Sequence, residues 1–218
     1  SNYAYGRDGN DVIKIEGGNK QSANGDGGND TIHVLSGTGH YVHGGAGNDV
    51  IYIKDTSRNI GTTTAYGDAG NDIFHVNSTA SGLTLYGGQG SDLYDVNWTL
   101  GDKITVKNSD YAAGDIDGLN LSGKASDFTL SYNATSKYLL LTDTKGGTVR
   151  IDGWATNALD IRFAGDNKVY SATKINKAIQ NLNNASISMT SVGAAYTSTA
   201  SVSNMTSYAP SNCAFAIS

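Results

Sequence analysis

Five aspartates, Asp11, Asp30, Asp49, Asp72 and Asp92, are the residues whose spacing points to chemistry, because each closes the same six-residue frame. The frames start at Gly6, Gly25, Gly44, Gly67 and Gly87, with glycine at the first and fourth positions of every copy. Successive closing aspartates stand 19, 19, 23 and 20 residues apart. Coils of that length stacked one strand spacing apart, about 4.8 Å, would set the carboxylates in a column. Neighbours in it repel by about 1 kcal/mol per close pair even in water, and by more when partly buried. A hard cation turns that repulsion into attraction. Ca2+ takes roughly six to eight oxygens at about 2.3 to 2.6 Å, and two adjacent loops offer carboxylates and backbone carbonyls within that reach. Glycine at the first and fourth positions would let the chain turn sharply with its carbonyls inward. Gly-Asn-Asp clusters also make good turns with no ion, but isolated turns have no reason to repeat one frame five times in a fixed apolar phase.

The elements that must position these loops are legible on both sides of them. Each frame is followed by an alternating segment: Val12-Ile13-Lys14-Ile15, Thr31-Ile32-His33-Val34, Val50-Ile51-Tyr52-Ile53, Ile73-Phe74-His75-Val76 and Leu93-Tyr94-Asp95-Val96. Period-two alternation is the mark of a half-buried strand. A second strand is expected before each frame, with Ala4, Ala23, Val42, Ala65 and Leu85 inward and Tyr5, Asn24, His43, Tyr66 and Tyr86 outward. The back turns, Gly17-Gly18-Asn19, Ser36-Gly37-Thr38-Gly39, Thr56 to Gly61 and Ser78 to Gly82, lack the Gly-x-Asp ending. Cation sites are therefore expected along one edge of the stack only.

The loops resemble the glycine- and aspartate-rich nonapeptide of repeats-in-toxin proteins, G-G-x-G-x-D-x-U-x. They depart from it by recurring every 19 to 23 residues instead of every nine. The resemblance implies an all-β, right-handed parallel β-roll over residues 1–98, with about four Ca2+ ions held between consecutive loops. Each ion would take the closing aspartates of two loops and carbonyls from the first four positions, those of Gly6, Asp8, Gly25, Gly27, Gly44, Ala46, Gly67, Ala69, Gly87 and Gln89. Asp26 and Asp68, at the second position, would add carboxylates, whereas Arg7 in that slot makes the first loop atypical.

Composition bounds the rest. An apolar share of 38% over 218 residues implies a thin core, and 28 glycines beside a single proline imply many tight turns and no generic linker. The formal charge of -5, with 15 lysines and arginines, argues against a phosphate-binding surface, so nucleic acid is not an expected partner. Cys213 is the only cysteine, so no internal disulfide staples the fold. Neither a run of about 18 apolar residues nor a basic, apolar leader occurs, so no membrane span and no N-terminal signal peptide are expected. The chain lacks an initial Met and is expected to be a piece of a longer protein.

Beyond Val96 the glycine loops stop. Lys103 to Lys107, Phe128 to Tyr132, Tyr138 to Thr142, Thr148 to Ile151 and Leu159 to Phe163 read as conventional strands. A stack needs such an end, since an uncovered last coil exposes unpaired backbone. Residues 99–176 resemble the capping region that follows the rolls of haemolysin-type calcium-binding proteins, with Trp154 as core. Asp102, Asp115 and Asp117 are scattered acids near turns and are read as solvated side chains rather than as a further ion site. Lys174 to Leu182 has helical spacing, and residues 177–218, ending Ala214-Phe215-Ala216-Ile217-Ser218, resemble the uncleaved export signal of that family, which implies type I secretion machinery as a partner and a secreted, extracellular or cell-surface location.

Gly118 to Ala125 is one residue short of a phosphate-binding loop and has the wrong context. His33 and His75 share an outward row with Tyr52 between them, and His40 and His43 fall on opposite faces, so neither pair is expected to share a metal. No H-E-x-x-H or G-x-S-x-G occurs, and no catalysis is expected of this chain. The leading expectation is a calcium-dependent folding and export module. The alternative is an adhesin-like module whose outward Tyr52, Tyr66, Tyr86, His33 and His75 recognise a polysaccharide or host surface.

Overall fold

The computed structural model describes residues 2–54, 62–77, 81–108, 115–154, 159–180, 182, 186–192 and 196–197. Each glycine loop joins two strands, as its flanking alternation requires. The pairs are β1 (Tyr3–Asp8) with β2 (Val12–Ile15), β3 (Ser22–Gly27) with β4 (Thr31–Val34), β5 (Tyr41–Ala46) with β6 (Val50–Ile53), β7 (Thr64–Ala69) with β8 (Ile73–Val76), and β9 (Ser81–Gln89) with β10 (Leu93–Val96). Strands before the loops stack in parallel into one sheet, A, and strands after them into a second, B, making a parallel β-solenoid of about five turns. Register is in phase with the repeat: Ala23 lies beside Val42, Val42 beside Ala65, and Ile32 beside Ile51.

Alternate side chains of both sheets meet between them, which is why these segments alternate. Ala23, Val42, Ala65 and Leu85 from sheet A and Ile32, Ile51, Phe74 and Val96 from sheet B are buried. Ala4, expected inward, is exposed, because the first coil is the open end of the stack. Tyr3, Tyr5 and Val12 are exposed there as well.

The stack does not stop where the glycines stop. Among the described residues nine more strands and two α-helices follow: β11 (Lys103–Lys107), β12 (Gly118–Leu121), β13 (Phe128–Asn133), β14 (Tyr138–Asp143), β15 (Thr148–Asp152), β16 (Asp160–Phe163), β17 (Lys168–Tyr170), α1 (Ala172–Ile179), then α2 (Met189–Val192) between β18 (Ser186–Ser188) and β19 (Tyr196–Thr197). β11 and β15 extend sheet A in parallel, and β12 and β16 extend sheet B. Gly118 to Leu121, set aside as a failed phosphate loop, is thus a fully buried strand of sheet B. The end itself is made by antiparallel strands, β14, β13 and β18 on sheet A and β17 and β19 on sheet B. Trp154 is buried, and its Nε1 donates to Asn176 Oδ1 of α1 at 2.8 Å.

From Ser171 onward the described residues are tied to the rest of the fold. Ser171 caps α1 by accepting from the Lys174 amide, β18 pairs with β13, and Ile175 and Met189 are buried in the common core. Residues 198–218, including Cys213 and the expected finish Ala214 to Ser218, lie outside the described residues. Among the described residues no helix is long and apolar enough to cross a membrane.

Candidate metal centre

The loops turn through left-handed backbone at their second and fourth positions. At the second, Arg7, Asp26 and Asp68 hold φ of 75°, 70° and 75°, a region that Asp tolerates better than most side chains. The first-position glycine serves close approach instead of the sharp turn expected of it. A methyl group on Gly6 would lie 2.6 Å from the Gly25 carbonyl oxygen and 2.7 Å from Asp11 Oδ2. On Gly25, Gly44 or Gly67 it would overlap the same two kinds of atom. Asp11, Asp30, Asp49 and Asp72 therefore each hold Oδ2 against their own first glycine, beside the first carbonyl of the next coil.

The other oxygen is part of a ladder. Asp30, Asp49, Asp72 and Asp92 each accept, through Oδ1, the amide of the aspartate one coil earlier, at 2.7, 2.7, 2.8 and 2.9 Å. A sixth aspartate continues the ladder, because the Asp92 amide donates to Asp117 Oδ1 at 2.8 Å. One position earlier the asparagines run the opposite way. Asn10, Asn29, Asn48 and Asn71 accept from the amide of the next coil, Asn29, Asn48, Asn71 and Ser91, at 2.7 to 2.8 Å. The edge is thus stitched in both directions by backbone-to-side-chain bonds.

What the ladder leaves over is the Oδ2 of Asp11, Asp30, Asp49 and Asp72, buried with no hydrogen-bond partner. Desolvating a carboxylate oxygen without a donor is costly, and the proton affinities respond. Burial, opposed by the Asp30 amide and reinforced by the Asp30 and Asp68 charges, pushes Asp49 up to about 6. Burial likewise pushes Asp72 up to about 8 and Asp117 up to about 6, and raises Asp92 well above its ordinary value. These are the groups a hard cation would neutralise. Among the described residues no three His, Cys, Asp or Glu side chains gather into a metal cluster, so backbone carbonyls would have to supply most of an ion's shell. When bound, Ca2+ would supply the positive charge that keeps neighbouring buried carboxylates ionised.

The other expected ligands divide in two. First-position carbonyls of Gly25, Gly44, Gly67 and Gly87 come within reach of the preceding coil's first glycine, each beside that coil's aspartate Oδ2, whereas Gly87 itself faces Asp92 Oδ2 and the Tyr94 hydroxyl. Third-position carbonyls of Gly27, Ala46, Ala69 and Gln89 instead accept the fourth-position amides of Gly9, Gly28, Gly47 and Gly70, at 2.7 to 2.8 Å. Gly6 and Asp8 belong to the open first coil. Asp26 bonds to the Asn24 side chain, and Asp68 Oδ2 lies 2.9 Å from His43 Nδ1, so both second-position acids are engaged with outward residues. Asp115 accepts from the Gly90 amide at 3.3 Å and Asp102 from the Thr99 amide at 3.1 Å, apart from any metal cluster among the described residues.

The outward rows form stacks of rings. Tyr52 is sandwiched between His33 and His75, with centroids 4.9 Å away on each side, and Tyr66 between His43 and Tyr86 at 4.4 and 4.5 Å. The inner rings present edges, not faces. His40 is buried, its Nδ1 accepting from the Gln21 amide and its Nε2 3.1 Å from the Ser36 carbonyl, on the opposite side from His43. Compared with known proteins, the chain matches no protein-family model and no curated protein.

Proposed function

We propose that this chain is a calcium-folded module of a secreted protein, with the repeats-in-toxin type of roll that its loops resemble and an export signal in its C-terminal segment. The observation that carries the reading is the column of buried Oδ2 atoms on Asp11, Asp30, Asp49 and Asp72, which have no proton donor. In a low-calcium cytosol those carboxylates would oppose stacking and hold the chain open for passage through a secretion channel. Outside, Ca2+ binding to the native state alone would stabilise it by RT ln(1 + [L]/Kd) at each site, and modules of this kind bind with Kd of about 10⁻⁴ to 10⁻³ M. Coupled sites along one edge would make the transition steep. The test is far-UV circular dichroism of the chain titrated with Ca2+, with Mg2+ as control. A cooperative gain of β signal with Ca2+ alone is expected; full β signal in chelator at neutral pH would overturn the reading.

One set of observations favours a second reading, a metal-free ladder. The loop edge is already closed by aspartate and asparagine hydrogen bonds, and the raised aspartates can hold protons instead of sharing a cation. Full structure in chelator, lost as the pH rises past neutrality, is its signature.

A further inference from the structure

We propose that the outer face of sheet B carries a binding strip for an acidic polysaccharide, centred on a shallow groove between Lys54 and Ser122. The groove encloses about 410 Å3 and is lined by Tyr52, Lys54, His75, Asn97, Asn120 and Ser122 among others. It lies on and beyond the strands that leave the glycine loops, so its chemistry is separate from the aspartate ladder.

Charge selects the ligand. The chain carries a formal charge of -5, yet this face bears Lys14 and Lys54, both exposed, and among the described residues neither forms an ion pair. Their field is felt locally: burial first, then Lys14 and Lys54, lowers the proton affinity of His33 between them. The one carboxylate on the row, Asp95, is already committed. Its Oδ2 lies 2.9 Å from His75 Nδ1, its Oδ1 accepts from Asn120 Nδ2 at 2.7 Å, and Asn120 Oδ1 accepts in turn from the buried Arg162 guanidinium at 3.3 Å. A ligand therefore meets the Lys54 ammonium and the His75 Nε2, with the hydrogen-bonded Asp95 carboxylate behind them.

Geometry selects it further. Asn97 donates to Asn77 Oδ1 at 2.8 Å and accepts from Ser122 Oγ at 3.1 Å, and Ser122 Oγ accepts the Trp98 amide at 2.8 Å, so the polar rim is fixed by contacts from coil to coil. Fixed polar groups lose little conformational freedom on binding. Tyr52 has both faces covered by histidines, which removes the stacking platform that a neutral sugar would use. Hydrogen-bonding groups at a fixed coil spacing beside a lysine that lies 5.4 Å over the Tyr52 ring centroid, with no carboxylate partner among the described residues, fit a chain bearing both hydroxyls and a negative charge at each unit. Uronate carboxylates and sulfate esters share that chemistry.

Calorimetry of the folded full chain, its β signal verified by circular dichroism in the same buffer, would be run against an oligouronide, a sulfated oligosaccharide and an uncharged oligosaccharide of equal length. Saturable binding of one anionic ligand or both is expected, and which one binds identifies the anion. Binding should weaken with salt and fall at least fivefold in Lys54→Ala, with Asn97→Ala as a second variant affecting the same ligand. No binding of either anion by folded protein, equal binding of the uncharged sugar, or an unchanged Lys54→Ala would overturn the strip. Because folding is read first, a chain that folds in calcium but binds nothing removes the strip and leaves the calcium reading standing, while a chain folded in chelator removes only the latter.

Discussion

At the scale of single residues the two oxygens of Asp49 have different jobs. Oδ1 satisfies the Asp30 amide at 2.7 Å, and Oδ2 has no partner. Asp49→Asn keeps an acceptor for that amide and replaces the orphaned oxygen by an amide NH2. Asp49→Ala removes both and leaves the Asp30 N–H buried and unsatisfied, a loss of about 1 to 3 kcal/mol. The alanine variant should therefore be less stable in chelator and in calcium alike. The asparagine variant should match or exceed the parent in chelator but show a higher calcium midpoint and a shallower transition, since Asp49 is shared by two central interloop positions. Parallel urea melts with and without Ca2+ separate the two. If Asp49→Asn leaves the calcium titration unchanged, Oδ2 is not a ligand.

At the scale of the loop edge, the stacked aspartates act together, and their pH dependence has a definite sign. Burial raises Asp49 and Asp117 to about 6 and Asp72 to about 8, and Asp92 in the same direction, from 3.8 in the unfolded chain. Between pH 4 and 8 the folded state then holds more protons than the unfolded one, so stability in chelator should fall as the pH rises through that window. If the proposed sites bind calcium, it should cancel most of the fall, because it would compete with protons for the same oxygens. Thermal melts at pH 5 and pH 7.5, each with and without Ca2+, check this. A chelator melt that rises towards pH 7.5 would contradict it. The edge was half legible in the sequence. The period and phase of the five frames announce the coils and their buried positions, because inward residues such as Ile32 and Ile51 repeat with the loops. The asparagine ladder was equally regular at Asn10, Asn29, Asn48 and Asn71, but asparagine in a glycine-rich loop reads as a turn former, and only stacking gives its carbonyl a partner. Asp117 was missed as a rung because its coil has no glycine frame and stands 25 residues after Asp92.

At the scale of the whole molecule the question is whether the glycine-loop coils and the segment after them are one cooperative unit. Composition splits the chain near residue 98, where the glycine frames end. Packing joins it. One core runs from Ile13 through Phe74, Tyr94 and Phe128 to Met189, and β11, β12, β15 and β16 continue the parallel sheets without a break. Both tryptophans of the chain report on the later part. Trp98 Nε1 donates to Asp143 Oδ2 at 3.1 Å, and the same carboxylate accepts the amides of Gly101, Lys145 and Gly147. Burial would raise that acid, but these donors hold it below its ordinary value. Trp154 is held by Asn176. Tryptophan fluorescence thus reads the end of the stack, while the far-UV signal also counts the strands β1 to β10 of the glycine-loop coils. In a stack whose coils touch only their neighbours, the proposed calcium sites would drive the far end only through continuous pairing. Coincident calcium titrations by the two signals are therefore expected, as for any two-state unit. Tryptophan burial already complete in chelator, with the β signal rising later, would mean that the closing segment folds alone and templates the roll.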